Sequence, residues 1–514
     1  VTPVEEGEGD GEGEGEGEGE GQGEGEDEGG GEEQKPVVPT EKVEKIVGPR
    51  PIAPDEFPTE YPKGVKTVEE LITALTDAKD GDVVYVEPGM YDLTEVQMEP
   101  ESSTASSAKK SHILLKKTIA IVGTTNDAAE VVLKGDNTSH RVLMFNKSGA
   151  TLTLSNLTFT CGKPGEIGGG IYLYDGKACC VNCRFVANRG SYGGGFGVKQ
   201  NTARDCEFRR CYFADNVAGT GGGLYLYQKG STVDCVFERN TVTSSGGGAY
   251  YGAHTNSAFR ANVSAPTTSV AGCGGGGLAY GEASCCEFTC NTNAVKDSHG
   301  GATYNTTPLV DCVFRGNYGY NNGLVAGANL VDGCTFEDNY CGEAIVRRAS
   351  TGGGVMCGCD FRRNQGCLIA SQNSATTRRV VYNCLFEANT NSGTLSIYSD
   401  FRNCTFVGNV CGTEKTAPLS GNATAVNCAF SDNLPYDIYS NSGSIPYMTN
   451  SLWVTQNGYA DAPNARIAAV SKDSHRVDDM KFADPANGNY LPKNYKSPLY
   501  NAGYEDKDYL AAVG

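Results

Sequence analysis

Few side chains in this sequence are placed for acid–base chemistry. Asp360 and Arg362 are two residues apart, so in an extended segment they share a face, and Arg347, Arg348, Arg378 and Arg379 come from neighbouring stretches. Hydrolysis of a sugar linkage takes two carboxyl groups about 5 to 10 Å apart. These arginines and the aspartate recur at no constant phase, so nothing in their spacing brings them together. The five histidines are scattered, and His254 and His299 read as loop residues with no partner for proton transfer. Cysteine is the remaining reactive type. There are 21, an odd number on a 514-residue chain, unlike the short even-count framework of a secreted disulfide scaffold. One Cys-x-x-Cys, Cys180 to Cys183, has no second pair at zinc-site spacing, so no metal and no cofactor is expected.

The cysteines instead follow a rhythm. Ten times a Cys is followed two residues later by Phe and three residues after that by Asn, from CRFVAN at 183 to CAFSDN at 428. Representative copies are Cys183, Phe185 and Asn188; Cys211, Phe213 and Asn216; Cys235, Phe237 and Asn240; Cys312, Phe314 and Asn317; and Cys334, Phe336 and Asn339. An eleventh copy carries Ser257 in place of Cys, and the period is about 25 residues. Glycine clusters followed by apolar residues (GGGIYLY at 168, GGGLYLY at 221, GGGAYY at 246) alternate with the motif, and none of these segments has a helical period. Short strands, Gly and Asn turns and this period describe one turn of a parallel β-helix.

Stacked coils give the motif a structural meaning. Residues i and i+2 of a strand share a face, so Cys and Phe point inward, and Asn falls at the corner, where left-handed backbone is tolerated. These residues form structural ladders from coil to coil. Stacked cysteines lie close enough for disulfides, but parallel side chains must rotate to form them, which favours buried free thiols. The residue after each Phe faces solvent and alternates in sign through Arg315, Glu337, Arg362 and Glu387, so stacked neighbours attract.

The same alternation turns Ile171, Leu173, Leu224 and Leu226 inward and Tyr172, Tyr174, Tyr225, Tyr227 and Tyr250 outward. Exposed tyrosines on a rigid wall suit sugar stacking or protein contact, because each offers a large amphipathic area at small entropy cost. The alternative is that the rings only shield the sheet. Tyr280 and Tyr304, at the opposite phase, are expected in the core.

Four regions follow. Residues 1–34 are an acidic leader: its first 33 residues hold 15 acidic side chains and no basic one, with EGEGEGEGEGQGEGEDE at 12–28. With no apolar surface and repelling charges it is expected to be disordered. Residues 35–64 are a Pro-rich linker. Residues 65–445 are the β-helix, opened by a capping helix in which Thr67 and Glu70 form a capping box and Val68, Leu71, Ile72 and Leu75 share one face. Residues 446–514 close the far end. No apolar run reaches the ~20 residues that cross a bilayer, and a formal net charge of −20 points away from nucleic acid.

The alternation of GG[GA]-apolar with FxxN over about residues 168 to 433 resembles the repeat of the polymorphic outer membrane proteins, surface β-helices of some bacteria. GDVVYVEPGMY resembles the start of secreted right-handed parallel β-helix proteins, and FADPANGNY with SPLYNAG resembles the C-terminal element of bacterial β-helix proteins that carry anchoring tails. The resemblance implies an all-β, right-handed parallel β-helix, extracellular or at a bacterial cell surface, with a structural or adhesive role. Its partners would be polysaccharide or a surface protein, and self-association is compatible with it. It supplies no catalytic residue. The competing expectation is a polysaccharide lyase or glycoside hydrolase with its groove on an outer face.

Overall fold

A computed structural model describes residues 47–50, 58–96 and, with short interruptions, 110–454 and 475–492. The leader 1–34, most of the linker, Arg348 and the chain beyond 492 lie outside the described residues. The strands are short because each carries little more than one inward side chain before a corner. Arg184–Val186, Tyr212–Ala214 and Val236–Glu238 each bury the central Phe, and Phe185, Phe213 and Phe237 lie in register on successive parallel strands. Repeating this closes one 16-stranded parallel sheet, while the other faces join in a 32-stranded sheet. Between them lies one continuous core that runs from Leu71 to Trp453.

Three columns of stacked side chains run through the buried interior. Phenylalanine rings from Phe159 to Phe430 stack coil on coil, with centroids 4.5–5.5 Å apart, each contact adding about 0.5–1.5 kcal/mol beyond area burial. Asparagines form the second column. Asn216 Nδ2 donates to Asn240 Oδ1 (2.9 Å) and to the Phe185 carbonyl (2.8 Å), its backbone N–H donates to the same Oδ1, and its own Oδ1 accepts from Asn188. The pattern repeats to Asn433, where Asp437 Oδ1 accepts in place of a further Asn. A buried amide with every donor and acceptor used carries no desolvation penalty, which is why this polar residue can occupy the interior.

The asparagine is therefore not the left-handed corner residue. That conformation falls one position earlier, at Ala187, Asp215, Arg239 and Ala261 (φ 51–56°), because the Asn side chain must point along the stack. The motif thiols form the third column, and all 21 cysteines of the chain are free. Cys211 N–H donates to Cys235 Sγ and Cys235 N–H to Ser257 Oγ, so serine replaces thiol in the same bonding scheme. Burial raises the thiols of Cys211, Cys235, Cys312 and Cys334 well above their ordinary pKa.

The glycine clusters pass where coils touch. A Cβ on Gly247 would lie 2.1 Å from the Gly276 carbonyl oxygen, and one on Gly222 would lie 2.2 Å from that of Gly247. At the N-terminal end the helix Val68–Asp77 forms its capping box through Thr67 and Glu70, buries Leu71 and Leu75, and packs Val68 and Ile72 against the core. Lys117 Nζ donates to the Leu75 and Thr76 carbonyls at the helix end. At the other end, parallel pairing continues past residue 445: Leu452–Trp453 pairs with Ala429–Phe430 and His475–Arg476 with Leu452–Trp453. An antiparallel hairpin, Phe482–Asp484 with Asn489–Pro492, then lies over the outer face with Met480, Phe482 and Tyr490 against Val407, Ala429 and Leu385. No helix among the described residues is long and apolar enough to cross a membrane.

Candidate functional site

The tyrosine column faces away from the main core but does not stand free in solvent. Its register runs Met144, Tyr172, Gly197, Tyr225, Tyr250, Ala279, Tyr304, Ala326 and Arg347. Tyr172 is only 5% exposed, covered by Leu114, Met144, Ile167 and Tyr174, with the Arg141 guanidinium over its ring. Tyr225 is also 5% exposed, between Tyr192 edge-on and Tyr250 stacked at 5.4 Å. Tyr174, Tyr227 and Tyr250 are half-buried, Tyr174 beneath the Lys199 ammonium. The expected row of exposed rings is thus largely a packed seam, because residues that share no motif close over it. Tyr280 and Tyr304, expected in the core, belong to this outer seam: Tyr280 touches the rings of Tyr250, Tyr251 and Tyr304, and His299 stacks on Tyr304 at 5.4 Å.

The seam opens at one corner. Tyr251 and Tyr280 are register neighbours, followed by Asn305 and Gly327, and all four have positive φ (62°, 58°, 46° and 86°). Left-handed backbone favours Gly and Asn and costs other residues roughly 1–2 kcal/mol. Two adjacent coils carry Tyr there, with ring centroids 5.6 Å apart, and both residues line a cleft of about 210 Å³. Gln228, Glu282, Asn305 and Thr307 supply its polar groups, with Gln228 and Glu282 exposed at the rim. Tyr227 meets Tyr251 edge-on at 5.9 Å. Burial, then neighbouring tyrosines, raise the phenols: Tyr225 reaches about 12 and Tyr251 also rises, so both stay protonated and can donate. A larger open depression of about 590 Å³, with Lys63, Ala74, Asp82 and Tyr85 on its walls, is the seam between capping helix and first coil.

The described residues with catalytic potential fall into separate clusters. Arg362 pairs with Asp360 and Glu387, both at 3.5 Å, and the Tyr490 hydroxyl from the terminal hairpin donates to Glu387 at 2.9 Å. Arg347 pairs with Glu343 on the 32-stranded sheet, Arg378 with Asp400, and Arg379 is fully buried with Nη2 donating to the Ala328 carbonyl. Among the described residues lining the cleft, Glu282 is the one carboxylate, where two are needed for glycoside hydrolysis. His254 is no loop residue. It lies inward in the strand Ala253–Thr255, within hydrogen-bonding distance of Thr232 Oγ1 (2.8 Å) and edge-on to Phe237 and Phe259, and burial lowers its pKa to about 4.

Sequence reasoning missed a second aromatic pair. Tyr318 and Tyr340 each directly follow a motif asparagine, are 38% exposed and stack at 5.1 Å. Reading the residue after each motif Asn as a column (Val217, Thr241, Val263, Thr292, Tyr318, Tyr340) would have found them.

A family model described as a right-handed β-helix region matches residues 119–264. The fold is a right-handed parallel β-helix. No curated protein matches the chain. Among solved structures, a PL6-family polysaccharide lyase from Pseudopedobacter saltans is 12% identical over 82% of this chain and 94% of its own, with a TM-score of 0.32. A mannuronic-acid-specific family 6 lyase from human gut microbiota is 11% identical over 88% and 100%, with a TM-score of 0.34. The tailspike of Acinetobacter baumannii bacteriophage Fri1, a capsular polysaccharide depolymerase, is 12% identical over 81% and 61%, with a TM-score of 0.23. At these values the likeness carries no argument about activity.

Proposed function

We propose that this protein is a rigid β-helix rod, extracellular or displayed at a bacterial cell surface, that binds polysaccharide at the cleft between Tyr251 and Tyr280. The observation that carries this reading is the placement of two tyrosines in left-handed backbone on adjacent coils, beside Gln228, Glu282, Asn305 and Thr307. Aromatic walls with a few polar groups suit a sugar ring, which has apolar C–H faces and a hydroxyl rim. The surface location rests on the likeness of the repeat to the polymorphic outer membrane proteins. The rod is adhesive and not catalytic in this reading, because the basic and acidic candidates are paired with one another on separate faces.

The test is a glycan and polysaccharide array read for both bound protein and released product. Binding without release is expected. Release of shortened or unsaturated products would replace this reading with that of a lyase or glycosidase. Silence on both readouts would remove carbohydrate and leave a structural rod with a protein partner.

A further inference from the structure

Two histidines and an aspartate meet near the N-terminal end of the solenoid, far in sequence from the cleft at Tyr251 and Tyr280. His112 lies in the strand Ser111–Leu115, and Asp136 and His140 lie in the turn between Val131–Lys134 and Arg141–Ser155. One nitrogen from each imidazole and one carboxylate oxygen all lie within 4.8 Å of one another. Nε2 of His112 is 3.8 Å from Asp136 Oδ1, and Nδ1 of His140 is 2.6 Å from Asp136 Oδ2.

The groups behind these atoms are arranged as they are around metal ligands. His112 is 1% exposed, and its Nδ1 lies 2.7 Å from the Val96 carbonyl oxygen. That carbonyl accepts only from a protonated Nδ1, so the lone pair sits on Nε2, facing the aspartate. Asp136 is held by Thr138, whose amide donates to Oδ1 (2.9 Å) and whose hydroxyl donates to Oδ2 (2.7 Å). His140 is partly open to solvent and provides the way in.

We propose that His112, Asp136 and His140 bind one divalent transition-metal ion, with zinc the best match. Two imidazoles and one carboxylate are a borderline donor set that suits Zn²⁺, whereas Ca²⁺ and Mg²⁺ require mostly oxygen ligands. Around a tetrahedral ion with bonds of about 2.0–2.2 Å, ligand atoms lie roughly 3.4 Å apart. The widest pair of atoms therefore closes by up to about 1.4 Å, and the His140 and Asp136 atoms now 2.6 Å apart separate. The Asp136 amide, which donates to His112 Nε2 at 3.1 Å, gives up that bond. The ion ties the turn at 136–140 to the strand Ser111–Leu115 and leaves a fourth position for water.

The full chain, stripped with chelator, is titrated with Co²⁺ by visible absorption and with Zn²⁺ by calorimetry. One equivalent is expected to bind, with cobalt d–d bands of nitrogen and oxygen coordination and a Zn²⁺-dependent rise in Tm. In His140→Ala, affinity falls at least tenfold with circular dichroism unchanged. In His140→Cys, binding is retained and a thiolate-to-cobalt charge-transfer band appears. Absence of saturable binding would overturn the proposal. So would a charge-transfer band in the unsubstituted chain that persists in His140→Ala, because it assigns the ion to cysteines. If His140→Ala does not fold, the cobalt spectrum and stoichiometry of the unsubstituted chain decide the question.

Discussion

From Asn188 to Asn409 the inner asparagine column repeats one residue type per coil, and each asparagine is satisfied by the coils above and below it. The outer column through Tyr172, Tyr225, Tyr250 and Tyr304 changes from coil to coil and is interrupted by Gly197 and Ala279. Both regions use the same spacing between coils. In the inner one, every position is determined by its neighbours along the axis, so variation is costly. In the outer one, Tyr251 and Tyr280 hold left-handed backbone, as Ala187 and Arg239 do at the inner corner, but their large rings pack beside an open cleft. Departure from the repeat, and not the repeat, is where a binding role is to be sought.

The largest effect is expected inside. Asn262→Leu leaves Asn240 N–H and Nδ2 without their acceptor and the Phe237 carbonyl without its donor. At about 1–3 kcal/mol per orphaned buried group, unfolding in urea should show a loss of roughly 4 to 6 kcal/mol. A loss under about 1 kcal/mol would mean that the column is decoration.

Next come two buried titrating groups with opposite signs. His254 has its pKa lowered by burial from 6.5 to about 4, so its contribution is present above pH 6.5 and lost as pH falls towards 4. Asp437, which ends the asparagine column, has its pKa raised by burial from 3.8 to about 7, so its contribution is present below pH 3.8 and lost as pH rises to 7. The first is worth about 3 kcal/mol and the second about 4 kcal/mol, and between pH 4 and 6.5 the two slopes oppose one another. Urea midpoints measured across that range should therefore fall more steeply with rising pH in His254→Leu, and less steeply in Asp437→Asn, than in the unsubstituted chain. Equal profiles in all three would refute the assignment.

The smallest interior effect is expected at the thiol column. Cys235→Ser should cost under about 1 kcal/mol, because Ser257 and Ser451 already accept from Cys235 N–H and Cys428 N–H.

The inward side of the repeat was legible because a period of two specifies which face a residue takes, and Cys, Phe and Asn recur at fixed offsets. What covers an outward residue was not legible. Tyr172 is closed over by Leu114, Met144 and Ile167, which share no motif with it. His254 was misread because Ala253-His254-Thr255 has no large apolar residue to mark a strand, and its partner Thr232 is one coil away. In the charged row, Arg315 meets Glu337 at 2.8 Å as expected, and Arg260 pairs with Glu287 on the next coil, a residue outside that row. His112 lies 24 residues from Asp136, so the short Asp136–His140 spacing alone did not mark a metal site.

The most direct test of the tyrosine cleft is Tyr251→Gly, measured for both stability and affinity towards whichever polysaccharide the array selects. Glycine suits the left-handed position that Gly327 fills two coils beyond Tyr280, so relief of backbone strain offsets the lost ring contacts, and unfolding should shift by no more than about 1 kcal/mol. Affinity should fall at least tenfold. Unchanged affinity in a folded Tyr251→Gly variant would contradict the assignment of this corner as the binding site.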